Sequence, residues 1–399
     1  MSSIKPMKKK TLLLTLACTC ILTSGYCSTL SKPNKNVVKA DAILDSIYTH
    51  FGVQGSALLR ETYPFDDKFI ATYTASDQEK VNPFSYLWPF SGTMSATSAL
   101  LEATENSDYQ KAMDNKVLIG LEEYADTKRE PWAYSSYIKT EAPSDRFYDD
   151  NIWIGIDYAD LYLATHEQKY LDKSKGVWKF IQSGTDDKLG GGIYWCEQKK
   201  HSKNTCSNAP GSVYALKLFL ASKDSSYFKE GQALYEWTKK NLQDSTDYLY
   251  FDNKGLNGRI GRAKFAYNSG QMIQSASLLY KLTKDKKYLT DAQNIANACH
   301  QFFFEEFQPE KGKAFRMLKN GNVWFTAVML RGFIELYQID GNKAYINDVQ
   351  KTMDYSWDHA KDAQGLFGED WKKVDGKKNR WLLTQAAMAE MYARLGATK

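Results

Sequence analysis

Asp149 and Asp150 stand side by side in Arg146-Phe147-Tyr148-Asp149-Asp150-Asn151-Ile152-Trp153, where a polar stretch turns apolar. Two carboxyl groups held among aromatic rings can divide the work of cutting an acetal linkage. One attacks the anomeric carbon, and the other hands a proton to the departing oxygen. Two further Asp-Asp pairs, Asp66-Asp67 and Asp186-Asp187, show that the dipeptide alone decides nothing. The first lies near Pro64 and Lys68 and the second in a glycine-rich turn, surroundings typical of solvated loops. Only the 149/150 pair is enclosed by Phe147, Tyr148, Ile152 and Trp153. The same position would also suit a helix cap, since aspartate at a helix start accepts orphan N–H groups and favours the positive end of the dipole.

Catalysis requires the two neighbours to differ. At a helix N-terminus Asp149 is expected to stay ionised, while Asp150, beside that charge and desolvated by rings, is expected to keep its proton. If both side chains lean into one cleft, they can reach the roughly 5 to 5.5 Å separation that a covalent, retaining mechanism needs.

A repeat supplies the elements that must hold them. A short polar link ending in tyrosine recurs at Tyr109, Tyr170, Tyr227, Tyr288 and Tyr345, with separations of 61, 57, 61 and 57 residues. Ahead of the tyrosines run apolar segments with spacings of three and four, such as Ile152 to Leu163, Val213 to Leu220, Met272 to Leu282 and Val323 to Leu336. More charged helical segments follow, such as Tyr170 to Ile181, Tyr227 to Leu242 and Tyr288 to Phe304. Val37 to Phe51 and Trp381 to Leu395 add one helix at each end, and these two can pair to close a ring. The fold class expected is all-α, an (α/α)6 toroid of six helical hairpins with the more apolar helix of each hairpin inside. Gly190 to Trp195 is the one segment that suggests a short extended piece.

The two ends of such a ring differ in chemistry. Links within hairpins are short and charged. Links between hairpins are long and carry glycine, amides and rings: Tyr86 to Gly92, Gly191 to Trp195, Asn204 to Pro210, Phe265 to Gln271 and Asn322 to Thr326. These arrive at the starts of the inner helices, the rim that carries Asp149 and Asp150, and long loops on a rigid scaffold are where function concentrates. Aromatic faces stack on sugar rings, and amides satisfy hydroxyls in both directions. The candidate sugar contacts are therefore Trp88, Tyr148, Trp195, Asn208, Tyr267, Asn268, Gln271 and Trp324.

Composition is that of a folded protein, 43% hydrophobic and 25% charged, with no low-complexity tract. Residues 1–27 read as a secretory signal peptide, with Lys5 and Lys8 to Lys10 ahead of an apolar run from Leu12 to Leu22 that is too short to span a membrane. Residues 28–399 are expected to form a single catalytic domain. Without the four leader lysines, 48 basic residues face 47 acidic ones, so the basic balance belongs to the leader and nothing points to nucleic acid. An exported monomer is expected, secreted, periplasmic or held at the cell surface, and a lipid on Cys18, Cys20 or Cys27 is the open alternative to free release. Cys196 and Cys206 bracket a polar loop that a disulfide could close in an oxidising compartment, and Cys299 reads as a buried helix thiol.

Four segments in order, Phe147 to Trp153, Gly190 to Trp195, Asn204 to Pro210 and Tyr267 to Gln271, resemble glycoside hydrolase family 76, the endo-α-1,6-mannanases. The likeness runs from about Trp88 to the C-terminus. It implies retaining hydrolysis of the α-1,6-linked backbone of mannan, with Asp149 as nucleophile and Asp150 as general acid/base. It also implies a polysaccharide as the partner and no cofactor. Some fungal members are thought to transfer the glycosyl group to another sugar, so the final acceptor stays open.

Two other readings use the same ring. An epimerase or unsaturated-glucuronyl hydrolase is one; epimerases of this shape work through histidine. Here His50, His166, His201, His300 and His359 fall mainly on helices or hairpin links, and no metal-ligand spacing such as His-Glu-x-x-His occurs. A non-catalytic glycan-binding surface protein is the other, although pure binding has no use for two mutually repelling acids.

Overall fold

The hairpin links show why the sequence repeats. At the end of five inner helices Glu105, His166, Lys223, Lys284 and Gly341 turn left-handed, with φ between 53° and 70°. Their N–H groups donate back to the carbonyls of Leu101, Tyr162, Phe219, Tyr280 and Tyr337. This αL motif ends a helix while satisfying its orphan carbonyls. The hydroxyls of Thr104, Thr165, Ser222 and Thr283 then accept the N–H two residues on. Asn106, Asp224 and Asp285 cap the outer helix that follows.

The computed structural model describes Met1, residues 34–69 and residues 83–398. Among the described residues the helices are α1 (Lys35–Phe51), α2 (Leu87–Thr104), α3 (Ser107–Ala112), α4 (Leu118–Leu121), α5 (Tyr148–Thr165), α6 (Gln168–Ser183), α7 (Thr205–Ser222), α8 (Ser225–Leu242), α9 (Ala266–Thr283), α10 (Lys286–Phe302), α11 (Val323–Asp340), α12 (Ala344–His359) and α13 (Leu382–Ala397). A π turn over Met113–Val117 joins α3 to α4 into one broken outer helix. The inner helices α2, α5, α7, α9, α11 and α13 each pack on the next, and α13 returns to α2. Helix α1 packs on α13 as the sixth hairpin, and Asn34 Nδ2–H donates to Gly396 O at 3.0 Å. The protein is an (α/α)6 toroid, as the repeat predicts.

The recurring tyrosines couple successive hairpins. Tyr109 donates to Asp41 of α1, Tyr170 to Asp114 of the π turn, and Tyr288 to Glu236 of α8, at 2.7, 2.8 and 3.2 Å. Tyr227 and Tyr345 pack their rings on Trp178 of α6 and His300 of α10 instead. The core fills the space between the two helical layers, and the inner layer is small-residue-rich so that its helices can converge. Where α9 crosses α11, a Cβ on Gly332 would sit 2.2 Å from the Gly270 carbonyl oxygen, so the backbones meet directly.

Four segments expected as loops are the first turns of inner helices. Helix α2 starts at Leu87, α7 at Thr205, α9 at Ala266 and α11 at Val323. Serine, asparagine, glycine and proline suggest loops by type, yet at these convergent helix starts their small size is what fits. Pro210 sits inside α7, where its missing N–H leaves one helical bond unmade.

Small sheets were largely illegible. The extended piece near Gly190 to Trp195 exists as single bridges, Ile193 to Thr185 and Tyr194 to Lys203. Beyond it, Phe251–Gly255 and Ile260–Lys264 form a hairpin, paired on its other side to Ser202–Asn204. The Asn257-Gly258 turn, with Gly258 at φ +82°, is a hairpin signal. Phe304–Phe307 pairs with Phe315–Leu318 in another.

Cys196, Cys206 and Cys299 are all free, buried thiols. The disulfide considered for Cys196 and Cys206 is absent because each thiol faces a different environment. Cys196 packs on Phe147 and approaches Gln198 Oε1 at 3.7 Å, and Cys206 opens the first turn of α7. The leader, with Cys18, Cys20 and Cys27, lies outside the described residues. No helix among those described is long and apolar enough to cross a membrane.

Candidate active site

Arg146, with 1% of its surface exposed, sets the geometry of the pair. Its guanidinium donates to both Glu197 carboxylate oxygens, at 2.7 and 2.5 Å, and to the Pro131 carbonyl at 2.9 Å. Burial alone would raise the Glu197 carboxyl, but the two-pronged bond to Arg146 holds it below its ordinary value. The loop strands are thereby registered: Glu197 N–H donates to Arg146 O, Phe147 bridges Cys196, and Tyr148 N–H donates to Trp195 O.

Helix α5 starts at Tyr148 with no side-chain cap from Phe147. Asp149 and Asp150 therefore lie inside the first turn and neither is the N-cap. Asp149 Oδ1 accepts the Asp150 N–H and Oδ2 accepts the Trp195 Nε1–H, both at 3.1 Å. Among the described residues, Asp150 has no such donors.

Both carboxyls border a cavity of about 320 Å³ lined with Trp88, Trp153, Trp195, Tyr267, Trp324 and Phe325. Burial among these rings raises both acids. Asp150 is lifted well above the carboxylate range, because the negative charge of Asp149 adds to desolvation. Two donors, the Asp150 N–H and the Trp195 indole N–H, partly offset the rise at Asp149. The pair titrates as a unit, and the two donors favour the anion on Asp149 over Asp150.

The rings form a continuous wall. Trp324 meets Trp88 and Trp153 edge-on at 5.4 and 4.9 Å, and Tyr267 stacks on Phe325 at 4.1 Å. Trp88 also touches Trp381 at 5.5 Å, and Trp195 leans on Phe147 at 5.0 Å. Tyr86, Ser136 and Tyr267 add hydroxyls. A wider groove of about 800 Å³ lies around Trp132, Lys173 and Trp178 on the outer layer, but Asp172 is the single acid among its lining residues. Acid–base chemistry on paired carboxyls belongs to the smaller cavity.

Of the candidates named from sequence, Trp88, Trp195, Tyr267 and Trp324 reach this cavity beside the aspartates, and four do not. Tyr148 is buried and stacked on Phe180 at 4.6 Å. Asn208 is consumed as a clasp: Oδ1 accepts from Ile193 N–H at 2.7 Å, and Nδ2 donates to the carbonyls of Ile193 and Asn204, both at 2.8 Å. Asn151 makes the same three bonds to Tyr134 and Phe147, and Gln385 to Phe367 and Trp381. An amide at the fourth residue of an inner helix thus ties down the preceding loop. Gln271 is buried and donates to Gln274 at 2.8 Å, and Asn268 is fully buried away from the cavity lining.

Sequence reasoning missed Tyr86, Ser136, Trp153, Phe265 and Phe325, although Trp153 sits three residues after Asp150 on the same helix face. It also missed Asp252, on the 251–264 hairpin, close enough to act on Cys206 and Tyr267 and raised by its own burial. Nothing in its polar neighbourhood marks it out. Among the described residues no histidine, lysine or arginine lines the cavity. His300 pairs with Asp348 at 2.9 Å and His359 with the Tyr355 carbonyl at 2.8 Å, both on the outer layer. The other acid pairs are elsewhere too, with Asp186 bound to Lys203 and Asp66 to Asn379.

Comparison with known proteins gives the family and the fold. Residues 63–311 match the profile of glycosyl hydrolase family 76. A family 76 glycoside hydrolase (mannosidase) from Bacteroides thetaiotaomicron VPI-5482 is 33% identical, superposes with a TM-score of 0.83, and is covered over 98% of its chain and 91% of this one. An inactive variant of the α-1,6-mannanase of Salegentibacter sp. HEL1_6, solved with α-1,6-mannotriose, is 23% identical with a TM-score of 0.70, over 90% of this chain and 99% of that one. The meiotically up-regulated gene 191 protein of Schizosaccharomyces pombe is 26% identical over 170 residues, 39% of this chain and 38% of that protein.

Proposed function

This chain belongs to glycosyl hydrolase family 76, and on that premise we propose that it is an exported endo-acting hydrolase of α-1,6-linked mannan that works with retention of anomeric configuration. The observation that carries the reading is the asymmetry of the aspartate pair. One member is held by donors and ready to ionise, and the other is donor-free and proton-bearing, within an aromatic cavity.

In this mechanism the Asp149 carboxylate attacks C1 of a mannosyl unit stacked on the tryptophans, while Asp150 protonates the leaving oxygen. Esterification removes the negative charge of Asp149. Without that charge Asp150 releases a proton more readily, so it deprotonates water for the second displacement. Trp88, Trp195, Tyr267 and Trp324 are the proposed sugar contacts. Absence of a histidine from the described cavity lining disfavours epimerase chemistry. Two acids held apart in proton affinity serve no purpose in a purely binding protein.

The test is incubation with linear α-1,6-mannan, with product length followed by chromatography and anomeric configuration by proton NMR. The expected result is a ladder of oligosaccharides released first as the α-anomer. Exclusive release of mannose, β-anomeric product, or binding without cleavage would each overturn a stated part.

A further inference from the structure

Lys203 is fully enclosed, although a lysine is costly to bury. Its ammonium lies within hydrogen-bond reach of four oxygens: the carbonyls of Asp186, Lys188 and Gly191 at 3.2, 2.8 and 2.7 Å, and Asp186 Oδ1 at 2.7 Å. The loop that supplies them passes through four consecutive residues of positive φ, Leu189 at 58°, Gly190 at 76°, Gly191 at 113° and Gly192 at 85°. Three glycines in a row make that path possible, and the carbonyls converge along it. Tyr194 closes the cage, its ring centroid 4.8 Å from the ammonium and its hydroxyl donating to Asp186 Oδ2 at 2.7 Å. Oxygens converging on one point with an aromatic face over it form a cation site, and here a side chain fills it.

The cage adjoins the catalytic pair. Lys203 bridges Tyr194 through the backbone, and the next residue is Trp195. Trp195 O accepts the Tyr148 N–H at 2.9 Å, and its indole N–H donates to Asp149 Oδ2 at 3.1 Å. Asn208 clasps Ile193 from α7, while Lys203 holds the residues on either side of it, Gly191 through the ammonium and Tyr194 through the backbone.

We infer that Lys203 is a positioning residue: its ammonium is the built-in cation around which the 186–192 loop folds, and that loop sets the Trp195 indole against Asp149. Replacing a buried ion pair by apolar groups is often neutral for stability, so the value of this pair lies in selecting one loop arrangement. Charged groups around the ammonium are Asp186, Asp187 and Lys188 of the loop, with Lys200 also over the Tyr194 ring. Those acting on Asp149 are Asp150 on α5, Cys196 on the adjoining loop, Cys206 on α7 and Tyr267 on α9, none of which can be positive. Without a cation in that set, the placement of the indole donor bears directly on the Asp149 anion.

The inference rests on the nucleophile role proposed above for Asp149, and its first readout needs no substrate. Carboxyl titration by NMR of aspartate-¹³C-labelled protein, with Asp149→Asn identifying the signal, is compared for wild type, Trp195→Phe, Lys203→Met and the double variant. Trp195→Phe removes the donor and should raise the Asp149 titration by about 0.5 to 1 pH unit. Lys203→Met removes the charge at similar side-chain length and should raise it in the same direction. The double variant should match Trp195→Phe alone, because both changes act through one bond. The acid limb of kcat/KM on α-1,6-mannan should move upward in parallel, so the variants lose activity at higher pH than wild type. A Lys203→Met protein that is less stable but keeps the wild-type titration and acid limb overturns the inference, as does a double variant whose shift is the sum of the singles. If Lys203→Met fails to fold, Asp186→Asn weakens the cage from the loop side, and the same comparison decides: a smaller shift absorbed into that of Trp195→Phe supports the inference, and no shift overturns it. A wild type inert on the mannan, with the titration shift present, would overturn the substrate reading and leave the role of Lys203 standing.

Discussion

Helix α5 carries acids at both ends, and the ends differ in what surrounds them. At its C-terminal half Asp160 is bound by Lys217. Nearby, Arg331 bonds Glu390 at 2.6 and 2.9 Å, Arg394 bonds it again at 2.6 Å, and Lys281 holds Glu335 at 2.5 Å. Burial would raise Glu390, yet the two arginines pull it down to about 2. A cavity of about 260 Å³ opens there too. At the N-terminal end Asp149 and Asp150 face rings and weak donors, with no cation among the described lining residues, and both are raised. Concavity and carboxylates are common to both ends. At the end without compensating cations, Asp149 can give up and regain a proton near neutral pH beside a second carboxyl.

The comparison breaks most sharply in activity. Asp149→Asn should lower kcat by about 10⁴-fold and Asp150→Asn by roughly 10² to 10⁴-fold, while Asp160→Asn should stay within about twofold, because it alters a structural ion pair remote from the bond being cut. Initial rates on α-1,6-mannan check all three. A dead Asp160→Asn that is still folded would mean that the far cavity belongs to the active centre.

The second prediction concerns stability at the compensated end. Arg331→Met leaves the buried Glu390 with half its cationic support and should cost about 3 to 5 kcal/mol, read from the urea midpoint.

Asp157, between the two ends, gives a pH test. Its Oδ2 accepts from Ser95 at 2.6 Å, Oδ1 has no partner, and burial raises it to about 7 despite Arg331. A raised carboxyl binds its proton more tightly folded than unfolded, so wild-type stability should fall as pH rises from about 4 to about 7 and then level off. Asp157→Asn should remove its own share of that slope, gaining up to about 4 kcal/mol relative to wild type over this window and nothing below it. Thermal midpoints of both proteins across pH 4 to 8 would show it, and parallel curves would refute it.

The smallest effect is expected at Asn208→Ala. Losing the clasp leaves the buried Ile193 N–H unpaired and should cost about 1 to 3 kcal/mol in stability, with KM for oligosaccharide little changed. A large KM increase without loss of stability would restore Asn208 as a sugar contact.

Much of the architecture was legible because it depends on residue type at fixed spacing. Three of the five tyrosines recur because each has an acid to reach on a neighbouring outer segment, and the αL links recur because five inner helices must stop at the same height. The aspartate pair was legible through its aromatic company. Side-chain direction was not. Asn208 and Trp195 are equally plausible sugar ligands by type, yet one bonds the backbone and the other faces the cavity. Asp252 was hidden because a short hairpin fixes it, and the strands of that hairpin carry no apolar alternation.

The ring's closure has a consequence for how the chain is made. The bond from Asn34 to Gly396 joins residues 362 positions apart, and Trp381, which backs Trp88, precedes the last helix. Residues up to Trp381 must leave the ribosome before the cavity has its final wall. A contact between such distant partners is also the slowest kind to form. Deleting α13 should therefore leave a chain that builds its early hairpins and stalls open, a state that chaperone capture or limited proteolysis would reveal.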